Sequence, residues 1–271
     1  MKKTIILLCL FLTFELCPLL AQHHTVSLAI PYKENVVDEY SRERCVLDVY
    51  VPVSKKGFQT LVWFHGGGLT GGDKKHFPEE LKDKDICIVS ANYRLSPKAQ
   101  HPAYIKDAAA AVAWVIKNIE HYGGDPSQIY VGGHSAGGYL TSMIGLDKEY
   151  LNAEGVDADQ VKAYYPVSGQ AITHFQIRQE RNLSTDIPLI DNYAPLAHVR
   201  KEAAPFLIVA GQTEKEMACR TVENRFLYEA LLAVGNQTAV FHELSGFDHG
   251  NVVEPASFLI LQDMKRRQTN K

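Results

Sequence analysis

The stretch from residue 129 to residue 144 constrains the fold of this chain more than any other. It opens with the apolar run 129–131, presents Ser135 between pairs of glycines, and continues as the mostly apolar segment 139–144. A short apolar run, a glycine-rich turn and a helix-like segment predict a strand, a sharp turn and a helix. The chain is therefore expected to have an α/β architecture organised around this turn.

The glycines on either side of the serine form the pattern G-x-S-x-G at residues 133–137. Glycines at these positions leave room for a turn that holds the serine side chain in an exposed, strained position. The pattern is short, and an ordinary glycine turn is the alternative. Three other features decide between them: a loop of free N–H groups before the turn, and an acid and a histidine after it.

A second glycine-rich segment precedes the first. The continuous apolar run 61–64 is typical of a strand buried on both faces, and His65 and three glycines at 66–68 follow it directly. Glycines at the end of a buried strand let the backbone turn tightly and point unpaired N–H groups into a cleft, as the stabilisation of an oxyanion requires.

With H-G-G-G at 65–68 and G-H-S-A-G at 133–137, the sequence resembles the α/β-hydrolase superfamily, in its carboxylesterase and hormone-sensitive-lipase-like branch of serine esterases. The resemblance extends to N-Y-R at 92–94 and H-P at 101–102. It implies the α/β-hydrolase fold, with a mostly parallel central sheet, helices on both faces and a small cap or none.

The resemblance also implies roles for individual residues. Ser135 would be the nucleophile, and the backbone N–H groups of Gly67, Gly68 and Ala136 would form the oxyanion hole. His65 is expected to brace the loop rather than to react.

The acid is expected after the apolar run 205–211. Glu214 stands three residues beyond Gly211, where the family usually carries aspartate. Glutamate can also hold the imidazole in the required tautomer and stabilise its positive form. Its extra methylene changes its reach, so Glu216 stays open as the alternative acid. A solvated charged loop is the plain alternative to both.

The base is expected in the loop after the last predicted strand. His249 lies there, followed by a glycine, and the resemblance implies that it is the catalytic base. Asp248 is its sequence neighbour, and the side chains of neighbours point apart, so Asp248 is a poor partner for it. His134 and His242 are expected to be packed or exposed rather than catalytic.

The remaining periodicity fits alternating strands and helices, which favours a parallel sheet. Between residues 104 and 120 the apolar positions fall on one face of a helix. Further strands are predicted at 46–51, 86–91, 161–167, 205–211 and 238–244, and further helices at 221–234 and 255–267.

The sequence also predicts how the chain is divided into a signal peptide, one domain and a short insertion. Two lysines, an apolar run and Ala21 give residues 1–21 the pattern of a secretory signal peptide, so we expect an exported protein, periplasmic or extracellular. Residues 22–271 would form a single α/β-hydrolase domain, in which the aperiodic segment 168–192 is expected to form a short lid. Phe175, Ile177 and Tyr193 are candidate pocket walls there.

Composition limits the partners. The chain has 271 residues, 46% of them hydrophobic, and a formal net charge of −3. This charge suggests neither nucleic acid nor an anionic membrane surface as a partner, and no stable membrane insertion is expected after signal cleavage. We find no metal-ligand cluster or nucleotide-binding loop in the sequence, so no cofactor or metal is expected. The oligomeric state is not predicted.

These features and the resemblance together imply a secreted serine esterase acting on short-chain acyl esters, with acetyl or feruloyl esters of carbohydrates as candidate substrates by analogy. The alternatives are a small peptidase or amidase of the same fold, or a non-catalytic binding protein built on it.

Overall fold

The apolar runs found in the sequence form the central strands of one sheet. The computed structural model describes residues 24–34, 36–53 and 56–269, and the signal peptide predicted over residues 1–21 lies outside them. The strands of the described residues are β1 (His24–Pro31), β2 (Val46–Pro52), β3 (Phe58–Phe64), β4 (Cys87–Ala91), β5 (Gly124–His134), β6 (Ala163–Val167), β7 (Leu207–Gly211) and β8 (Val240–Leu244).

Helices connect most of these strands. They are α1 (Glu39–Arg44), α2 (Ala103–Asn118), α3 (Ala136–Leu146), α4 (Lys148–Ala153), α5 (Phe175–Glu180), α6 (Arg220–Ala233) and α7 (Val253–Thr269). Short 3₁₀ turns complete the connections. In the described part of the chain, no helix combines the length and the apolar character needed to cross a bilayer.

The strand order is β1-β2-β4-β3-β5-β6-β7-β8. Strand β2 pairs antiparallel with β1 and β4, and all the other neighbours pair in parallel. The prediction of a mostly parallel sheet is thus confirmed. Strand β1 was not predicted, because it is a largely exposed edge strand and its register shifts between Ser27 and Ile30. Such a strand lacks the continuous apolar signal of a buried one.

The core has two layers, one on each face of the sheet. Side chains alternate along β3, so Val62 and Phe64 join the cluster that contains residues of α2, α3 and α6, while Leu61 and Trp63 join the cluster packed against α7. The prediction of helices on both faces is therefore confirmed. The carboxyl ends of the parallel strands meet at one edge of the sheet, where the loops after β3, β5, β6, β7 and β8 converge.

Candidate active site

Ser135 lies at the sharp turn between β5 and α3. Its backbone has φ 55° and ψ −114°, a strained conformation for a residue with a side chain. A Cβ on Gly133 would lie 2.6 Å from the Gly137 carbonyl, and one on Gly137 would lie 2.0 Å from the carbonyl oxygen of Phe64. Glycine is needed at both positions, and the turn holds the serine hydroxyl at the carboxyl edge of the sheet.

His249 lies in the turn after β8 and reaches the serine. Its Nε2 is 2.9 Å from Oγ of Ser135. The neighbouring Asp248 is exposed, and its carboxylate accepts the backbone N–H groups of Gly250 and Asn251, both at 2.9 Å. Asp248 therefore shapes the turn that presents His249 and does not itself bind the imidazole, as expected.

The acid beside the histidine is Glu216. Its Oε1 accepts a hydrogen bond from Nδ1 of His249. Glu214 is exposed and accepts a hydrogen bond from the side chain of Gln212 at 2.9 Å. The prediction that Glu214 contacts the histidine is wrong, and the structure brings the alternative, Glu216, to that position.

The local backbone explains why Glu216 and not Glu214 meets the histidine. After β7 the chain makes a helical turn, in which the N–H groups of Lys215 and Glu216 both donate to the Gln212 carbonyl at 2.9 Å. The N–H of Gln212 in turn donates to the carbonyl of Phe247, in the loop that carries His249. This turn carries Glu214 outwards and returns Glu216 over the end of the strand.

The carboxylate of Glu216 is fully buried and held at both oxygens. Oε2 accepts from Ser168 Oγ at 2.6 Å and from the N–H of Gly211 at 3.3 Å, while Oε1 also accepts the N–H of Met217 at 2.9 Å. Burial alone would raise the pKa of this carboxyl, but the hydrogen bonds from His249, Ser168 and Met217 outweigh it and lower the pKa to about 2. Glu216 is therefore ionised at neutral pH and can stabilise a positive imidazole.

The loop after β3 brings free N–H groups to the serine. Gly67 and Gly68 have φ of 116° and 63°, and a Cβ on Gly67 would lie 2.2 Å from the Gly71 carbonyl oxygen. The Gly67 carbonyl accepts the N–H groups of Thr70 and Gly71, which turns it into the loop. No acceptor within residues 24–34, 36–53 and 56–269 pairs with the N–H groups of Gly67, Gly68 and Ala136. These donors are available to an anion.

His65 holds the start of this loop through contacts of its ring. Its ring stacks on Tyr93 with centroids 4.4 Å apart, its Nδ1 lies 2.7 Å from the Gly66 carbonyl oxygen, and Arg44 contacts its Nε2 at 3.3 Å. Burial lowers the pKa of His65 to about 4, so the ring is neutral, and with Arg44 donating to Nε2, Nδ1–H donates to Gly66. Asp73 anchors the far end of the loop through the side chain of Asn92 and the N–H of Lys75.

His134 has a more specific place than sequence reasoning gave it. Its Nε2 lies 2.7 Å from the backbone carbonyl oxygen of His249, and the two rings are 4.8 Å apart. Burial, with a contribution from His249, lowers the pKa of His134 to about 4, so a neutral ring donates Nε2–H to that carbonyl. The residue before the serine thus ties the turn after β5 to the loop after β8. The sequence pattern alone assigns no role to this position.

The segment 168–192 reaches the glycine loop through Phe175. Residues 168–174 are buried, and residues 182–188 are exposed throughout. The ring of half-buried Phe175 lies over the glycine loop, 3.1 Å from where a Cβ on Gly68 would stand. Ile177 is fully buried in the core. Of the candidate pocket walls, Phe175 is the one that lies against the loop of free N–H groups.

Esterases are among the known proteins that are similar to this chain in sequence. The family model described as BD-FAE matches residues 47–177. Esterase LipQ of Mycobacterium tuberculosis is 30% identical over 247 residues, covering 81% of this chain and 56% of that protein. Carboxylesterase NlhH of the same species is 39% identical over 97 residues, covering 34% of this chain and 30% of that protein. The chain thus spans roughly half or less of the length of the curated relatives it matches.

Solved structures share the whole fold. A truncated carbohydrate esterase from gut microbiota superposes with a TM-score of 0.75 at 19% identity, over 92% of this chain and 98% of that one. The chain has the α/β-hydrolase fold. Esterase 2 of Thermogutta terrifontis superposes at 0.70 with 21% identity, over 91% and 95% of the two chains. The resemblance to the carboxylesterase and hormone-sensitive-lipase-like branch is confirmed by the sequence relatives.

On this α/β-hydrolase fold the serine, the acid and the histidine follow β5, β7 and β8, in the order usual for the fold. The departure is the acid, which stands five residues beyond Gly211 instead of three.

Proposed function

We propose that this chain is a serine hydrolase that cleaves carboxylic esters of short acyl groups. The observation that carries the proposal is the continuous contact from Ser135 Oγ to His249 Nε2, at 2.9 Å, and from His249 Nδ1 to the ionised Glu216, beside free N–H groups. A hydroxyl, a base and an acid in this arrangement, facing an oxyanion site, are the requirements for acyl transfer.

In the first half of the reaction, Oγ of Ser135 attacks the ester carbonyl carbon while Nε2 of His249 takes the hydroxyl proton. The imidazolium that forms keeps its Nδ1–H on Glu216, whose negative charge stabilises it. The N–H groups of Gly67, Gly68 and Ala136 donate to the oxyanion. Collapse of the tetrahedral intermediate breaks the ester C–O bond, and His249 returns its proton to the departing alcohol.

In the second half, His249 takes a proton from water as the water attacks the acyl-enzyme. A second oxyanion forms in the same site and collapses: the bond from the acyl carbon to Oγ breaks, His249 gives its proton to Oγ, and the carboxylic acid product is released. Losing a single oxyanion donor typically lowers turnover by a factor on the order of 10² to 10³.

We further propose acetyl or feruloyl esters of carbohydrates as the substrate class. Two solved structures similar to this chain are named as a carbohydrate esterase from gut microbiota and a bifunctional GH43-CE of Bacteroides eggerthii. The ring of Phe175 against Gly68 gives the site a close apolar wall, which favours compact groups next to the reacting carbonyl.

Turnover of nitrophenyl esters of increasing acyl length, measured beside acetylated and feruloylated xylan oligomers, tests both proposals. We expect activity to be highest on the shorter acyl chains. Ser135→Ala, checked for folding by circular dichroism, should abolish hydrolysis and labelling by a fluorophosphonate probe.

Other outcomes identify the alternatives. Cleavage of small peptides or amides with no turnover of esters would favour an amidase. A folded protein that is neither labelled nor active on any of these substrates would favour a binding protein on the hydrolase fold.

We also propose that the protein is exported after removal of residues 1–21. The proposal is supported by the basic, apolar and small-residue pattern of that segment. N-terminal sequencing of the protein recovered from outside the cytoplasm should begin at Gln22, and recovery of the full-length chain from the cytoplasm alone would contradict it.

A further inference from the structure

Ser168 is a buried residue that neither the sequence patterns nor the hydrolase resemblance singled out. It follows β6 directly, is fully buried, and donates a hydrogen bond from Oγ to Glu216 Oε2 at 2.6 Å. It therefore contacts the carboxylate oxygen that the histidine does not use.

The backbone of Ser168 is fixed on both sides. Its N–H donates to the carbonyl of Val209 at 2.8 Å, and its own carbonyl accepts from the guanidinium of buried Arg220 at 2.6 Å. Its φ is 48°, in the left-handed region that a residue with a side chain rarely occupies. Strained, over-determined backbone of this kind is concentrated at functional sites.

The acid itself explains why such a support is needed. A glutamate has one more rotatable bond than an aspartate, and Glu216 lies in the loop after β7 rather than on a strand. Its carboxylate would have to be oriented so that one oxygen stays aimed at Nδ1 of His249. Ser168 holds the other oxygen from the buried side at 2.6 Å, a shorter contact than the 3.3 Å from the N–H of Gly211 to the same oxygen, and so contributes most to fixing that rotation.

We propose that Ser168 is a positioning residue for Glu216, acting on catalysis through the orientation of the acid. The proposal rests on the proposed function, since it assigns Glu216 as the acid of a serine hydrolase. A buried carboxylate that loses this donor keeps its charge but no longer holds the imidazole in one orientation, so the chemical step slows while substrate binding is unaffected.

The test is steady-state hydrolysis of nitrophenyl acetate by Ser168→Ala. Hydrogen bonds to charged groups are worth enough to predict a fall in kcat of about ten- to a hundredfold. KM should stay within about twofold of the parent value. Ser257→Ala is the matched control. Ser257 lies on helix α7, is also fully buried, and donates a hydrogen bond to a carboxylate oxygen, Oε1 of Glu80, at 2.6 Å. Its kcat should be unchanged.

Two further variants separate positioning from folding. Ser168→Gly relieves the left-handed backbone while removing the hydroxyl, so it should unfold at a temperature no lower than Ser168→Ala yet lose the same activity. In a Glu216→Ala background, Ser168→Ala should cost no more than about twofold, because no carboxylate remains to be held.

The outcomes distinguish a failure of the role proposed for Ser168 from a failure of the proposed function. If Glu216→Ala itself keeps full kcat, the assignment of the acid fails. If Glu216→Ala is strongly impaired and Ser168→Ala keeps full kcat, or if its loss of activity is as large in the Glu216→Ala background as in the parent, the role of Ser168 alone is overturned.

Discussion

Glutamine at position 216 would keep the shape of the side chain beside His249 and remove its negative charge. The side chain of Glu216 is fully buried and bound to Nδ1 of the imidazole, so water cannot take the place of the lost carboxylate charge beside the ring. Glutamine can also present its amide to Nδ1, which favours the wrong tautomer for accepting the Ser135 proton. Both effects act on the step in which the imidazolium forms.

The size of the effect follows from the charges. An imidazolium and a carboxylate about 4 Å apart interact by about 4 kcal/mol at an effective dielectric constant of about 20. Each 1.36 kcal/mol is a factor of ten, so loss of the charge alone predicts a fall in kcat of about 10³. The tautomer effect adds to it, and we expect Glu216→Gln to lower kcat by about 10³ to 10⁴.

Stopped-flow or steady-state hydrolysis of nitrophenyl acetate measures this change. Glu214→Gln is the matched control, since Glu214 is exposed, lies two residues away and carries the same charge. It should change kcat by less than about twofold. A Glu216→Gln enzyme within tenfold of the parent, or a Glu214→Gln enzyme impaired by more than tenfold, would refute the assignment of the acid.

Three other variants or conditions test the surroundings of the site. Gly67→Ala should lower kcat by about 10² to 10³, because the added Cβ would lie 2.2 Å from the Gly71 carbonyl oxygen. Gly71→Ala is the control: the atom nearest to its added Cβ is 3.9 Å away, so its kcat in the same ester assay should be close to that of the parent. His134→Phe removes the donor to the His249 carbonyl and should lower kcat by about tenfold with KM unchanged; an unchanged kcat would mean that the contact does not position the base. Burial lowers the pKa values of His65 and His134 to about 4, so each ring binds a proton more readily in the unfolded chain than in the folded one. The free energy of unfolding, measured by urea titration, should therefore fall by about 3 kcal/mol per histidine as the pH drops from 6.5 to 4. A free energy of unfolding that does not change over this range would contradict the burial of these rings in the neutral form.

Much of the fold could be predicted because its signals are local. Buried parallel strands need continuous apolar runs and the turn at Ser135 needs flanking glycines, so β3, β5 and α3 follow from their own residues. The edge strand β1 has no such signal, since most of its side chains face solvent.

The residues of the site also fall into those with a local sequence signal and those without one. Ser135 and His249 were each predicted from residues that lie close to them along the chain. The identity of the acid depends on how the backbone turns after Gly211, and both Glu214 and Glu216 are compatible with the local sequence.

The sequence by itself therefore determined the α/β-hydrolase fold, the candidate nucleophile, the candidate base and the glycine loop, because each is encoded by a short pattern with its own steric requirement. Only the tertiary structure decided that Glu216 meets His249 and that Ser168 and His134 support the site. These contacts join residues from different strand ends, with 33 to 115 positions between the partners, and no local propensity reports on them.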